Sequence, residues 1–302
     1  MRLLLVDGHY YAYRSFFAIR GLTNSGGDPT NAVFGFFKAL RKMLADVQPD
    51  AAAVIWDAGL PERRMELLPS YKQHRDETPG DLEVQFPVIE EAVHALGLQN
   101  IRLQGEEADD LIASYATAAG VSNEVVIATN DKDIFAVVSE RVSIYTTNKV
   151  DTAKGREGFA LLGPSQVEAK WGVPPGLIPD VLALTGDAAD NIPGIEGVGP
   201  KTAAKLVREY GRVLDLIDHP EMIKNEKLRA KVAGDTARLR ANLELVRLDH
   251  DLPLPTPLED LAVVPDIGAV TALARKCEFR GLLAEYEKLS VAAISPAQGE
   301  LF

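Results

Sequence analysis

The stretch Arg2-Leu3-Leu4-Leu5-Val6-Asp7-Gly8 decides the predicted fold class, because it has the pattern of a buried parallel strand that ends in an acid. Three further apolar runs follow along the chain, at residues 51–56, 125–128 and 142–145. Segments with helical spacing of apolar residues lie between the strands, for example at 10–19 and 32–44. Strands that alternate with helices predict an α/β fold with a mainly parallel central sheet flanked by helices.

Acidic residues follow the predicted strands at their carboxyl ends, where open parallel sheets bind ligands. Asp7 and Asp57 end the first two strands. Asp131 and Asp133 follow the third. One aspartate at such a position is weak evidence, because Asp also ends strands as a turn former. Three independent strand ends are hard to explain by turns alone, so we expect these carboxylates to share a site.

A further acidic segment, Gly105-Glu106-Glu107-Ala108-Asp109-Asp110-Leu111-Ile112, places four carboxylates in five positions before an apolar run. If residues 107–119 form a helix, Glu107 and Asp110 share a face, while Asp109 points about 100° away from Asp110. Taken alone, the run is typical of an acidic helix N-terminus. Together with the strand-end acids, it predicts that Glu107 and Asp110 contact one metal ion and that Asp109 is angled toward a second.

Asp187 and Asp190, again three positions apart, complete the acidic set. The nine candidate metal ligands are Asp7, Asp57, Glu107, Asp109, Asp110, Asp131, Asp133, Asp187 and Asp190. So many carboxylates converge only around cations, because like charges at close range repel one another. Oxygen ligands favour Mg²⁺ or Mn²⁺, and two such ions about 4 Å apart are the usual device for hydrolysing a phosphodiester bond.

The composition does not exclude a nucleic-acid enzyme, although the net charge is −12. Without the nine site acids, the balance is 35 acidic against 32 basic residues. The single cysteine, Cys277, allows no intrachain disulfide, which fits a reducing cytoplasm. The apolar runs are too short for a membrane span, so we expect no membrane contact.

Past residue 163, helical segments replace the strand pattern. We therefore expect an α/β nuclease core over residues 1–163, a helical lobe over 164–290 and a flexible tail over 291–302. The two larger parts form either one compact two-lobed unit or two closely associated subdomains, since no long linker separates them.

A Gly-rich segment at about residues 184–208 has the form of a helix-hairpin-helix. Glycines let the backbone approach a phosphate, and the N–H groups at the following helix start donate without reading bases. Lys201 and Lys205 lie one helical turn apart on one face. A tight turn between packed helices is the alternative interpretation, since it also requires Gly and Pro. The candidate DNA-binding residues are Gly197, Gly199, Lys201, Thr202 and Lys205.

Between Pro61 and Pro79, basic residues accompany an aromatic one, a combination suited to a single strand through backbone attraction and base stacking. The residues concerned are Arg63, Arg64, Tyr71, Lys72, His74 and Arg75. A solvated surface loop explains the same segment equally well.

These features together resemble the 5′ nuclease family, which includes the N-terminal domain of bacterial DNA polymerase I, its free-standing relatives and the flap endonucleases. The matching segments, in order, are Leu5-Val6-Asp7-Gly8, Asp57-Ala58, Tyr71-Lys72-Gln73-His74-Arg75, Glu107-Ala108-Asp109-Asp110, Thr129-Asn130-Asp131-Lys132-Asp133, 184–194 and 197–203. The resemblance covers about residues 1–290, with the motifs in family order and spacing.

The resemblance implies roles for individual residues. All nine acids fall on metal-site positions, with two Mg²⁺ or Mn²⁺ ions per site. Lys72 and Arg75, with Tyr71 beside them, fall in a helical arch at about residues 61–90 that admits the 5′ single strand and steadies the scissile phosphate. In the family, the helix-hairpin-helix holds downstream duplex and often a K⁺ ion. We expect a bacterial, cytoplasmic, nucleoid-associated monomer.

Two features depart from the family pattern or extend it. Glu106 stands where many relatives have an aromatic residue, and it adds charge near the site. The tail residues Gln298, Leu301 and Phe302 resemble the bacterial sliding-clamp-binding pentapeptide, although Gly299 replaces the usual Leu. A chance match is the alternative, because such short motifs are weak. No polymerase module follows, which predicts a free-standing nuclease or a fragment.

The predicted function is a divalent-metal-dependent 5′ to 3′ exonuclease and structure-specific 5′ flap endonuclease. Its expected substrates are DNA with 5′ flaps, nicks or ends, and RNA primers, during replication and repair. One alternative is a structure-specific DNA-binding protein with little activity that docks on the clamp, which the intact acidic set argues against. Another is a related metal-dependent ribonuclease, for which the Gly-rich hairpin would have no purpose.

Overall fold

A computed structural model describes residues 1–152 and 158–294 of the chain. The strands in these ranges are β1 (Arg2–Asp7), β2 (Ala51–Ile55), β3 (Gln99–Ile101), β4 (Glu124–Ala128), β5 (Val142–Thr146), β6 (Ala160–Leu162), β7 (Gly186–Asp187) and β8 (Ile192–Pro193). The helices of residues 1–152 are α1 (Gly8–Ala18), α2 (Asn31–Val47), α3 (Glu62–Leu67), α4 (Gly80–Glu83), α5 (Phe86–Ala95), α6 (Ala108–Gly120) and α7 (Lys149–Thr152). Those of residues 158–294 are α8 (Pro164–Trp171), α9 (Ile178–Thr185), α10 (Pro200–Tyr210), α11 (Val213–Asp218), α12 (Glu226–Gly234), α13 (Thr236–Val246), α14 (Ile267–Lys276) and α15 (Arg280–Ile294).

The four strands predicted from apolar runs are β1, β2, β4 and β5, and each lies within a residue or two of its predicted bounds. Leu3 to Val6 are fully buried, as a strand covered on both faces requires. The sequence pattern missed β3 and β6, which are three residues long and largely exposed or half-buried. Strands this short bury too little apolar surface to leave a pattern.

The chain divides into two compact units that interleave along the sequence. The first comprises residues 1–56, 78–101 and the chain from 256 onward. In it, β1 pairs in parallel with β2, and β2 pairs in parallel with β3. Helix α2 buries an apolar stripe at Val33, Phe36, Phe37, Leu40 and Met43, as its helical spacing predicted. It packs against α1 and α5, and α14 packs against α5 and α15.

The second unit comprises residues 57–77 and 102–255. Here β4 pairs in parallel with β5, and β5 pairs antiparallel with β6. Helix α9 packs against α10 and α13. From residue 201 to residue 294 the chain contains helices and no strand, as the sequence predicted. The predicted α/β class, with mainly parallel strands and a helical later part, is therefore confirmed.

The predicted boundaries differ from the compact units. Residue 163 lies inside the second unit, because α9 packs against the turn at Asp133–Val137 that follows β4. Helix α15 runs to Ile294 and so includes the first residues of the predicted tail, 291–302. The segment before Pro296 contains helix-forming residues and no breaker, which explains the longer helix. The predicted clamp-binding residues Gln298, Leu301 and Phe302 lie outside the described residues.

A sharp hairpin between β7 and β8 carries Asp187 and Asp190. The strands are antiparallel, with Asp187 opposite Ile192. A Cβ atom added to Gly194 would lie 2.0 Å from the carbonyl oxygen of Thr185, so no other residue fits without moving the backbone. This glycine lets the chain after the hairpin return against the end of α9.

Among the described residues, none of the helices combines the length and the hydropathy needed to cross a bilayer.

Candidate metal centre

Three acids of the second unit meet at the centre of the site. One carboxylate oxygen from each of Asp133, Asp187 and Asp190 lies within 4.8 Å of the others. Local backbone bonds hold two of the acidic turns in place. The Asp133 N–H donates to Asp131 Oδ1 at 3.0 Å, and the Ala189 N–H donates to Asp187 Oδ1 at 2.9 Å. Of the two acids that follow β4, Asp133 therefore meets the Asp187/Asp190 pair, as predicted.

Asp133 is the member of this cluster that best reveals a cation site. Its Oδ1 atom is buried and accepts no hydrogen bond from the described residues. Burial and the charges of Asp131, Asp187 and Asp190 raise the pKa of Asp133 well above its ordinary value. A buried carboxylate oxygen without a donor is costly unless a cation or a proton satisfies it. The oxygen-only donor set fits a hard divalent ion such as Mg²⁺ or Mn²⁺.

Positively charged side chains surround the same acids. Lys132 Nζ lies 2.6 Å from Asp187 Oδ1. Arg75 Nη2 lies 3.0 Å from Asp190 Oδ1, and Lys72 Nζ lies 3.9 Å from Asp190 Oδ2. Burial raises the pKa of Asp190, and the charges of Lys72 and Arg75 oppose that shift. These cations offset part of the repulsion that the clustered carboxylates would otherwise exert.

Lys72 connects the segment after α3 to two predicted ligands. Its backbone adopts a left-handed conformation with φ of 56°, and its N–H donates to the carbonyl oxygen of Asp190 at 3.1 Å. Its ammonium group is buried and bonds to Glu107 Oε1. Burial alone would lower the pKa of Lys72, but the charges of Glu107 and Asp190 outweigh it and raise the pKa. Lys72 is therefore charged at neutral pH, in a conformation that a non-glycine residue rarely adopts.

Tyr71 lies in the interior, with a side chain only 3% exposed. Its hydroxyl donates to Glu107 Oε2 at 3.1 Å. Burial and the charge of Glu107 raise the pKa of Tyr71, so the phenol stays protonated as a donor. At this exposure the ring is not open to stack on a nucleic-acid base, whereas the sequence pattern had suggested base stacking.

The acids before and within α6 are placed differently from one another. Glu107 is the residue before the first helical turn, and Asp110 lies inside that turn. Asp57 Oδ1 accepts a hydrogen bond from the Ala108 N–H at 2.8 Å, which ties the start of α6 to Asp57. Asp109 is half-buried, whereas Asp110 is completely buried. The ordinary capping role of acids at a helix start is thus filled by Asp57, which comes from another segment.

The sequence placed Arg64 only among the basic residues of a segment suited to a single strand, whereas the structure buries it beside these acids. Its guanidinium bonds to Glu107 and lies 2.5 Å from Asp110 Oδ2. Burial alone would lower the pKa of Arg64, but its hydrogen bonds and the charges of Asp110 and Glu107 raise it. Arg63 and Arg64 are adjacent and alike in sequence, so only their burial in the folded chain distinguishes them.

Asn242 on α13 is another residue that the sequence did not reveal. Its buried amide donates to the carbonyl oxygens of Ala183 at 3.0 Å and Pro193 at 2.8 Å. These bonds join the end of α9 to the hairpin that carries Asp187 and Asp190. A single Asn within a helical pattern has no local feature that predicts such a contact.

Asp7 belongs to the first unit, at the carboxyl end of β1. It is buried, and its Oδ1 atom accepts a hydrogen bond from the Tyr10 N–H at 2.9 Å. It therefore caps α1, which is the turn-forming role that the sequence left open for strand-end aspartates.

The segment from α9 to α10 has the predicted form of helix, Gly-rich hairpin and helix. Gly197 has φ of 78°, and Gly199 precedes α10, whose first residue is proline. Lys201, Thr202 and Lys205 are exposed on α10. This arrangement leaves backbone N–H groups and two cations at one helix start, as phosphate binding requires.

Residues 224–240 contain six basic residues against the two acids Glu226 and Asp235, but acids nearby in the fold pair with most of the basic ones. The ion pairs are Lys224–Glu209, Arg229–Glu226, Lys231–Glu196, Arg238–Asp235 and Arg240–Asp218. Lys231 also donates to the carbonyl oxygen of Glu196 in the hairpin at 2.8 Å. The local excess of basic residues is therefore smaller in effect than their number indicates.

The fold and this site define a class of protein: an α/β chain with clustered carboxylates at strand ends and a helix-hairpin-helix in its later part. The 5′-3′ exonuclease N-terminal resolvase-like domain matches residues 2–172, and the 5′-3′ exonuclease C-terminal SAM fold matches residues 173–269. A 5′-3′ exonuclease of Aquifex aeolicus is 36% identical over 289 residues, which cover 95% of this chain and 96% of that protein. The chain belongs to the 5′-3′ exonuclease family, which confirms the predicted resemblance.

Longer relatives and solved structures match as well. The thermostable DNA polymerase I of Thermus thermophilus is 39% identical over 293 residues, which cover 97% of this chain and 34% of the polymerase. The chain thus spans about a third of that relative's length. A structure of the bacteriophage T5 5′-exonuclease with bound zinc ions has a TM-score of 0.65 at 22% identity, covering 95% of this chain and 97% of the other. The Rad2 catalytic core in complex with a DNA substrate has a TM-score of 0.63 at 17% identity, covering 94% and 92%. At these identities the structures support the fold alone.

Proposed function

We propose that the chain is a divalent-metal-dependent 5′ to 3′ exonuclease and 5′ flap endonuclease. The observation that carries this proposal is the buried oxygen of Asp133 that lacks a donor, in a cluster with Asp187 and Asp190. Membership of the 5′-3′ exonuclease family supports the reaction class. DNA with 5′ flaps, nicks or ends, and RNA primers, are the proposed substrates.

Carboxylates are the proposed holders of two Mg²⁺ or Mn²⁺ ions. In the second unit, Asp133, Asp187 and Asp190 form one group, while Glu107 lies beside Lys72, which also reaches Asp190. Asp7, Asp57, Asp109 and Asp131 remain candidate ligands from the sequence. Two divalent ions at such a site supply the Lewis-acid chemistry of phosphodiester hydrolysis. No nucleophilic side chain is required.

Lys72 and Arg75 have a proposed role in binding the scissile phosphate. Their side chains pair with Glu107 and Asp190. Divalent ions on the same carboxylates would take over that neutralisation, which would free both cations for the phosphate of a 5′ strand. The Tyr71 hydroxyl donates a hydrogen bond to Glu107 and so helps to orient that carboxylate.

The helix-hairpin-helix is the proposed binding surface for the downstream duplex. Exposed Lys201 and Lys205, with the N–H groups that follow Gly199, suit phosphate contacts without base reading. The T5 flap endonuclease and the Rad2 catalytic core form complexes with DNA, which supports DNA binding by this chain. The K⁺ ion at the hairpin, the sliding-clamp contact of the tail, the monomeric state and the nucleoid association stay predictions.

A panel of 5′-labelled substrates tests the proposed activity directly. We expect the protein to release the 5′ flap from a flapped duplex, and nucleotides from a nicked duplex and an RNA/DNA hybrid, in Mg²⁺ but not in EDTA. Binding without cleavage in Mg²⁺ and in Mn²⁺ would instead support a DNA-binding protein of little activity. Cleavage restricted to RNA would support the ribonuclease alternative.

Charge reversal at Lys201 tests the helix-hairpin-helix. We expect Lys201→Glu to weaken duplex binding for all sequences and to flatten the dependence of log K on log salt by about one unit, because a phosphate contact is lost. Fluorescence anisotropy in Ca²⁺ between low and moderate salt measures both quantities. Lys276→Glu is the matched control, since Lys276 is an exposed lysine outside this motif that pairs with Glu91. An unchanged salt dependence for Lys201→Glu would indicate that the Gly-rich hairpin before α10 only packs the two helices together.

A further inference from the structure

The Arg64 side chain uses its hydrogen-bonding groups entirely inside the protein. The residue is 2% exposed and lies on α3. Nη1 donates to Glu107 Oε2 and to Asp110 Oδ2, and Nη2 donates to Asp110 Oδ1 at 2.8 Å. Nη2 also donates to the carbonyl oxygen of Arg247 at 2.8 Å, and Nε donates to that of Leu245 at 3.1 Å. A guanidinium with this pattern is held in one orientation.

The contacts of Arg64 join three segments of the second unit. Leu245 and Arg247 lie at the C-terminal end of α13, where carbonyl groups lack helical partners and attract a cation. Glu107 and Asp110 lie at the start of α6. Arg64 thus bridges the end of one helix and the start of another, directly before the segment that carries Lys72.

Asp110 differs from Glu107 in what its oxygens contact. Asp110 is 0% exposed, and its Oδ1 atom accepts bonds from Arg64 and from the Asp249 N–H at 2.8 Å. Its Oδ2 atom accepts from Arg64 at 2.5 Å. Glu107 gives only one oxygen to Arg64, and its other oxygen faces Lys72, which also reaches Asp190 of the acid cluster.

We propose that Arg64 is a positioning residue of the proposed nuclease site, and that Asp110 is its fixed counter-ion rather than a metal ligand. This inference rests on the proposed function for the existence of a metal site at Glu107. Arg64 holds Oε2 of Glu107, so the remaining oxygen points toward the cluster. Asp110 fixes Arg64 by a two-point contact. This assignment separates Glu107 and Asp110, which sequence reasoning had placed on one ion.

A double-mutant cycle tests the inference on the intact chain. The variants are Arg64→Met, Asp110→Asn and the double substitution, each measured for Mn²⁺ affinity and stoichiometry by calorimetry without DNA, and for Tm in EDTA. Each single change should weaken Mn²⁺ binding about 10- to 100-fold, the range for residues that orient a metal ligand. The double variant should have the same Mn²⁺ affinity as the single variant that binds Mn²⁺ less tightly, because both changes break the same contact.

Two further variants sharpen the result. Glu107→Gln should lower the number of Mn²⁺ ions bound, whereas Asp110→Asn should leave that number unchanged. Arg64→Lys keeps the charge without the two-point geometry, and it provides a folded variant if Arg64→Met fails to fold. Arg63→Met is the matched control, since the adjacent arginine is partly exposed and pairs with Asp249, and it should bind Mn²⁺ as the wild type does.

Additive losses of Mn²⁺ affinity in the cycle, or a lost ion in Asp110→Asn, would overturn the inference and make Asp110 a ligand. An Arg64→Lys variant with wild-type Mn²⁺ affinity would also overturn it. Flap cleavage by the wild type is measured in parallel. If the wild type binds Mn²⁺ but does not cleave, the proposed function fails while the cycle still decides the role of Arg64. A wild type that binds no Mn²⁺ overturns both.

Discussion

Asp133→Asn is expected to abolish Mg²⁺-dependent flap cleavage and, at the same time, to raise the Tm of the metal-free protein at neutral pH. Cleavage should fall by about 10³-fold or more, because metal ions at such sites supply several kcal/mol of transition-state stabilisation. The stability gain follows from removing a buried carboxylate whose oxygen has no donor. A residue that improves function at the expense of stability is expected at an active site.

The pH dependence of this gain has a definite sign. The pKa of Asp133 is raised in the folded chain, through burial and neighbouring acids, above its ordinary value of 3.8. The folded chain therefore holds this proton more tightly than the unfolded chain does. Its contribution to stability is fully present below pH 3.8 and is lost as the pH rises through the raised pKa. Asparagine does not titrate, so the Tm of the variant should fall less than that of the wild type as the pH rises through the raised pKa of Asp133.

Thermal unfolding in EDTA from pH 4 to pH 8, followed by Mg²⁺ titration at neutral pH, measures these effects. The wild type should gain Tm with Mg²⁺, because a ligand that binds only the folded state stabilises it, whereas Asp133→Asn should gain much less. Asp218→Asn is the control, since Asp218 is an exposed aspartate paired with Arg240. Wild-type cleavage rates in Asp133→Asn would remove Asp133 from the metal site.

Lys72→Met should lower the cleavage rate by about 10²- to 10³-fold while Mn²⁺ binding in the absence of DNA stays intact or becomes tighter. The rate falls because a cation that would stabilise the charge on the phosphate is removed. Mn²⁺ binding does not weaken, because Lys72 pairs with Glu107 and would compete with the ion for that carboxylate. A residue needed only for folding would not divide the two measurements in this way.

Single-turnover cleavage of a 5′ flap and calorimetric Mn²⁺ titration provide the two readings for Lys72→Met. Lys170→Met is the matched control, since Lys170 is a partly exposed lysine of the same unit that pairs with Asp151. Equal losses of cleavage and of Mn²⁺ affinity in Lys72→Met would mean that Lys72 supports the metal site structurally. An unchanged cleavage rate would exclude it from phosphate binding.

Much of the fold was predictable because its signals are local. The runs that became β1, β2, β4 and β5 span four to six residues, and acids follow the first three of them, so these strand ends and their carboxylates could be predicted together. The Gly-rich segment predicted its hairpin because glycine favours tight turns, and Gly197 has the positive φ, 78°, that such a turn requires. The short strands β3 and β6 lacked such a signal, and the compact units interleave because distant segments pack together.

The sequence by itself determined the class of the chain, the family it resembles and the set of acids from which a metal site can be built. Only the tertiary structure decided which partner each acid has. Helical spacing relates Glu107 to Asp110. The packing of α3 near the end of α13 then places Arg64 against both acids, so that each acid has a different set of partners. The same packing turns Tyr71 inward to Glu107. Spacing along one element fixes only the direction of a side chain, whereas its partner comes from segments that are distant in sequence.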